Sequence, residues 1–202
     1  MSDNATAQPP LPDLTRILTG PPGKVLLPLV ALLALIILNY FSLPGGGSLS
    51  LMLTGLMLGA ATVIVWTARF VVGLLRSDGR SGLRRHWVRW ACAPLMGVAV
   101  LGLVYADLPF TARFALSESS LEQVARTVAS GGESAQHDDH WAGLYPLTSI
   151  ERIDGGARFL VSDTGFLDHY GFAWSPGGEP PDESHTGYTH IRGPWYVWES
   201  RF

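Results

Sequence analysis

The stretch Leu74-Leu75-Arg76-Ser77-Asp78-Gly79-Arg80-Ser81-Gly82-Leu83-Arg84-Arg85-His86-Trp87-Val88-Arg89-Trp90 lies between two long apolar runs. It carries five of the 14 basic residues of the chain: Arg76, Arg80, Arg84, Arg85 and Arg89. Short loops rich in lysine and arginine remain on the cytoplasmic side of a membrane. The stretch therefore reads as a cytoplasmic turn between two membrane spans, and it sets the direction of everything on either side.

Outward from this turn, the spans follow from length. A bilayer core of about 30 Å needs about 20 apolar residues in a helix. The run before the turn gives a span over about 51–73, with Arg69 close enough to its end for the side chain to reach the headgroups. The run after it gives a span over about 87–108, with Trp87, Trp90 and Tyr105 near its ends, where amphipathic rings favour the interface, and with Pro94 near its start. An uncharged run over about 25–43 gives another span, with Pro28 in its first turn, where a missing N–H costs little. It reads as a retained anchor, since Ser42-Leu43-Pro44-Gly45 does not fit a signal-peptide cleavage site.

The loop Pro44-Gly45-Gly46-Gly47-Ser48 has no charge and goes outside. Three spans then make residues 24–108 the transmembrane region, with the N-terminus cytoplasmic and residues 109–202 outside the cell membrane. Residues 1–23, rich in proline and polar groups, read as a disordered or interfacial segment. No acid or histidine lies in mid-span, which argues against a transport pathway. Gly55 and Gly59, and likewise Ala93 and Gly97, are spaced for close helix packing. Packing among the three helices of one chain is the simpler use, and a homo-oligomer through Gly55 and Gly59 is the alternative.

The segment after Pro109 holds six arginines against 13 acids, so nucleic acid is not an expected partner. The single cysteine, Cys92, lies in an apolar run and offers no internal disulfide. Phe110 to Leu116 alternates as a strand does. Ser119-Ser120-Leu121-Glu122 has the form of a capping box, and Leu121, Val124, Ala125 and Val128 recur at helical spacing up to Gly131-Gly132. Glu133 to His140 reads as a polar loop. Leu144–Ile153 and Ala157–Val161 read as a hairpin about Asp154-Gly155-Gly156, followed by a strand over Gly165–Trp174, a loop from Ser175 to Asp182 and a terminal strand from Trp195 to Phe202. The fold class expected is three transmembrane helices plus a small α+β domain, one helix packed on an antiparallel sheet.

Candidate chemistry is sparse. His137-Asp138-Asp139-His140 places two imidazoles around two carboxylates, so His137 and His140 are candidate metal ligands if Asp168, His169, His185 or His190 join them. A solvated loop is the simpler account. Adjacent Asp168 and His169 point to opposite faces of a strand and make no dyad alone. The sequence has no Gly-x-Ser-x-Gly elbow, no His-Glu-x-x-His helix and no dinucleotide fingerprint, and it calls for no cofactor. Trp174, Trp195 and Trp198 are the candidate binding residues. A two-layer domain leaves one sheet face uncovered, so Trp195 or Trp198 is expected to be partly exposed.

The motif Gly171-Phe172-Ala173-Trp174-Ser175-Pro176, a proline-rich loop, and Tyr188-Thr189-His190-Ile191-Arg192-Gly193-Pro194-Trp195-Tyr196-Val197-Trp198 resemble an uncharacterised family of small actinobacterial integral-membrane proteins. The resemblance extends back over Arg113 to Val128. It implies a membrane setting and no activity or site residue. The expected function is that of a membrane protein whose outer domain binds an envelope protein, a cell-wall component or another ligand. The alternative is a membrane-anchored hydrolase or metal-dependent enzyme using the His/Asp-rich loops.

Overall fold

The structure is a computed structural model that describes residues 26–75, 87–132, 136–165, 168–181 and 185–200. Four helices precede six strands: α1 (Leu26–Tyr40), α2 (Leu49–Leu75), α3 (Trp87–Tyr105), α4 (Leu108–Ala129), β1 (Gln136–Ala142), β2 (Tyr145–Ile153), β3 (Gly156–Val161), β4 (His169–Trp174), β5 (Thr186–Arg192) and β6 (Trp195–Ser200). Helices α2 and α3 are long and apolar enough to cross a membrane. Helix α1 is equally apolar but, as described, is 15 residues long. Of the arginine-rich turn, Arg76, Arg80, Arg84 and Arg85 lie outside the described residues, and Arg89 is exposed in the first turn of α3.

The chain divides into two compact units. The first comprises Met1–Leu33 and Met57–Val98. In it Trp66 stacks on Phe70 at 5.0 Å, Phe70 meets Trp90 at 5.8 Å, and Gly59 faces Leu33 of α1.

The second unit comprises Ala34–Leu56 and Ala99–Phe202. Its sheet is antiparallel throughout, in the order β1-β2-β3-β4-β6-β5. Helix α4 covers one face: Phe114, Leu121, Ala125 and Val128 pack with Tyr145, Leu147, Phe159, Phe172 and Trp195 into one core. Gly55 of α2 here faces Ile36 of α1.

Two sequence expectations are corrected, and one strand is added to them. Phe110 to Leu116 is helix, and Ser119 lies within α4 rather than capping it. Seven residues of alternating size also fit a stripe at helical spacing, and Phe110, Phe114, Ser117 and Leu121 form that stripe against the sheet. Helix α4 begins instead after Asp107, in the left-handed region at φ 53°, with Pro109 in its first turn. Second, residues 136–142, expected to be largely loop, form edge strand β1, where a polar sequence is tolerated because one side of the ladder is open. The added strand, β5, which hydropathy did not suggest, pairs with β6 at the other edge.

Candidate functional site: the cleft at Arg113

The loop joining α1 and α2 is built into the domain. Leu43 lies in the domain core. Gly45 takes φ 68° and faces the ring of Tyr170, the Gly165 N–H donates to the Gly46 carbonyl at 3.1 Å, and Gly47 forms an isolated antiparallel bridge with Thr164. Only glycine meets both demands at position 45. A side chain at that φ is strained, and its Cβ would clash with the Tyr170 ring.

A second junction centres on Arg113, which projects from α4 toward the same loop. Its Nε and Nη2 donate to the Leu144 carbonyl at 3.2 and 2.6 Å, and its Nη1 donates to Asn39 Oδ1 at 3.2 Å and to Ser42 Oγ at 2.8 Å. The guanidinium lies 4.8 Å over the ring of Tyr145, whose hydroxyl donates to the Ser42 carbonyl at 3.2 Å. Ser117, one turn further along α4, holds the β1–β2 turn in place: its Oγ accepts from the Leu144 N–H at 3.0 Å and donates to the Arg113 carbonyl at 2.9 Å. Gly143 lies so close to Ser117 that any Cβ would meet its side chain. The turn therefore presents the Leu144 carbonyl squarely to Arg113.

These acceptors are all neutral. Among the described residues no carboxylate lies within ion-pair distance of Arg113. Burial lowers its basicity, which the neighbouring Tyr145 opposes, yet a guanidinium stays charged across the ordinary pH range. Burial likewise pushes the Tyr145 hydroxyl well above its usual range, with Arg113 acting against this and Asp107 adding to it. Among the described residues, the site thus holds a half-buried positive charge with no direct ion pair.

Arg113 borders two hollows. One, of about 440 Å³, is polar: Asn39, Ser48, Ser50, Thr54, Ser162 and Asp163 line it, with Leu43, Leu51 and Trp141. The other, of about 700 Å³, is an apolar groove between the ends of α1 and α3, the start of α4 and the β1–β2 turn. Its lining is unusually greasy for a surface: Leu116 is 72% exposed and Trp141 67%.

The residues singled out from the sequence lie elsewhere. Trp174, Trp195 and Trp198 are all buried. The expectation that Trp195 or Trp198 is exposed is corrected, and the cause is Gly171. This glycine stands opposite Trp198 on β4, and the indole fills the space that a side chain there would take, donating Nε1–H to the Phe159 carbonyl at 2.9 Å. Ala173, Tyr196, Leu160 and Tyr188 complete a small second cluster on that face. Arg158 lies 5.1 Å over Trp198.

His140, on β1, is exposed. The His137 side chain lies outside the described residues, so that pair is not seen together. His169, on β4, is three strands from His140, about 14 Å at the usual strand spacing, too far for a shared ion. His190, on β5, bonds the Gly193 carbonyl through Nε2 at 3.0 Å and packs on Tyr196. Among the described residues no three of His, Cys, Asp and Glu converge as metal ligands.

Sequence reasoning passed over Arg113. The one local signal is a lone charge in Phe110-Thr111-Ala112-Arg113-Phe114-Ala115-Leu116, an otherwise apolar segment next to a membrane-length run. Comparison with protein-family models, with curated proteins and with solved structures finds no match, so the chain's own residues carry the functional argument.

Proposed function

We propose that this is an integral membrane protein with three spans, over about 25–43, 51–73 and 87–108, a cytoplasmic N-terminus, and an α+β domain outside that binds an envelope partner or ligand at the membrane surface. One observation carries the proposal: the α1–α2 loop and the α+β domain are joined through Leu43, Gly46, Gly47 and Arg113. Three spans require that loop and that domain to share a side. Two further features support it. Helices α2 and α3 leave large apolar side chains such as Met57, Ile64, Val98 and Leu101 exposed, a surface suited to lipid and costly in water. The arginine-rich stretch 76–89 supports a cytoplasmic opposite side, since short basic segments between spans stay inside. The binding role rests on the Arg113 cleft, a charged and accessible hollow at that junction.

Reporter fusions after Phe202 test the orientation. A reporter active only outside the cytoplasm should work, and one that matures only inside should not. The reverse result overturns the three-span arrangement and moves the domain to the cytosol.

A further inference from the structure

The structure carries this proposal one step further, to the chemistry of the ligand, on the premise that the domain rests at the bilayer surface. We infer that the Arg113 site holds one phospholipid, with its phosphate on the guanidinium, an acyl chain along the apolar groove and its headgroup in the polar cleft. Three observations converge on this occupant. The guanidinium is half-buried and, among the described residues, makes no direct ion pair, and four hydrogen bonds to neutral acceptors leave one of its five N–H groups for a further acceptor. A phosphate oxygen meets both needs at once. The groove beside it is walled by Leu35 and Leu38 of α1 and by Leu103 of α3, near the ends of apolar helices that stand in the bilayer, so a lipid tail reaches it without leaving hydrocarbon.

The polar cleft narrows the headgroup. Ser48, Ser50, Thr54 and Ser162 offer hydroxyls, and Asp163 places a carboxylate on the wall. Asp163 disfavours a second negative charge and rewards a headgroup that donates hydrogen bonds. An ethanolamine head brings an ammonium that pairs with the carboxylate and donates N–H bonds to it and to the hydroxyls, and a choline head has the charge but no N–H or O–H to give. Phosphatidylethanolamine therefore fits, and phosphatidylcholine with the same tails fits less well.

The test uses the full chain in detergent, offered phosphatidylethanolamine or phosphatidylcholine of matched acyl composition, with bound lipid read by native mass spectrometry. One phosphatidylethanolamine per chain should be retained, about tenfold more strongly than phosphatidylcholine. Arg113→Gln should weaken retention about tenfold. Because Arg113 also joins the loop to α4, Leu116→Gln is the second variant: it is exposed and outside the hydrogen-bond network, and it should weaken retention while leaving tryptophan emission and melting temperature unchanged. Equal retention of the two lipids overturns the inference, and so does full retention by folded Leu116→Gln. Displacement of the lipid by millimolar glycerol phosphate also overturns it, since it assigns the site to a water-soluble phosphate. Retention in detergent does not depend on which side the domain faces, so failure here and failure of the reporter test are distinguishable.

Discussion

Gly45→Ala isolates the join between the α1–α2 loop and the sheet domain. Two costs add at this position. Placing an L-residue at φ 68° costs about 1–2 kcal/mol. The new methyl also clashes with the Tyr170 ring, and relieving such overpacking typically costs about 1–3 kcal/mol. A total near 3 kcal/mol is about a hundredfold in an equilibrium constant, and the loop escapes by letting go of the domain rather than by distorting it. The reporter is the Gly165 amide, which donates to the Gly46 carbonyl across that join. Hydrogen exchange at Gly165 should accelerate by about a hundredfold, while amides in the middle of β3 and β4 remain protected. Gly155→Ala is the control: Gly155 has φ 75° in the β2–β3 turn with nothing within 4 Å of its would-be Cβ, so it carries the backbone cost alone. That variant should lose about 1–2 kcal/mol of domain stability and leave Gly165 slow. Unchanged exchange at Gly165 in Gly45→Ala, or equal acceleration in both variants, refutes the account.

Two further outcomes follow from the site. Ser117→Ala removes the acceptor of the part-buried Leu144 N–H and should destabilise the domain by about 0.5–1.5 kcal/mol, read by denaturant unfolding in detergent, with a matching loss of lipid retention because the Leu144 carbonyl no longer faces Arg113. For Tyr145, burial raises the hydroxyl's pKa in the folded protein above its unfolded value. The unfolded chain then releases this proton first as pH rises, so stability is full below about pH 10 and falls above it. Tyr145→Phe should flatten that alkaline decline, and an unaltered slope in thermal melts between pH 9 and 11 would contradict the assignment.

Much of the architecture is legible in local sequence. The apolar runs forecast α2 and α3, and Asp154-Gly155-Gly156 forecast the β2–β3 hairpin, because each depends on neighbours a few residues apart. The failures share a different physics. Phe110 to Leu116 satisfies both periods over seven residues, and the choice is made by Ser117, a small polar residue that is fully buried because it touches the β1–β2 turn 27 positions ahead. Trp198 is buried by an absence, the missing side chain of Gly171 on a neighbouring strand. Arg113 draws its meaning from partners 71 and 74 residues away. No window of sequence contains these relations, and the site is made of them.

The glycine-rich loop also imposes an order in time. A ribosome releases Leu43 to Gly47 long before the strands they join, and Tyr145, which bonds Ser42, follows 103 residues later. During that interval Leu43 has no core to enter and the Gly46 carbonyl has no strand-turn partner. In the proposed topology the first two helices must settle in the membrane with this loop waiting unpaired on the far side, until the domain has been exported and folds against it. The loop then records that insertion and export have both succeeded, since only a correctly delivered domain supplies the contacts that tie it down.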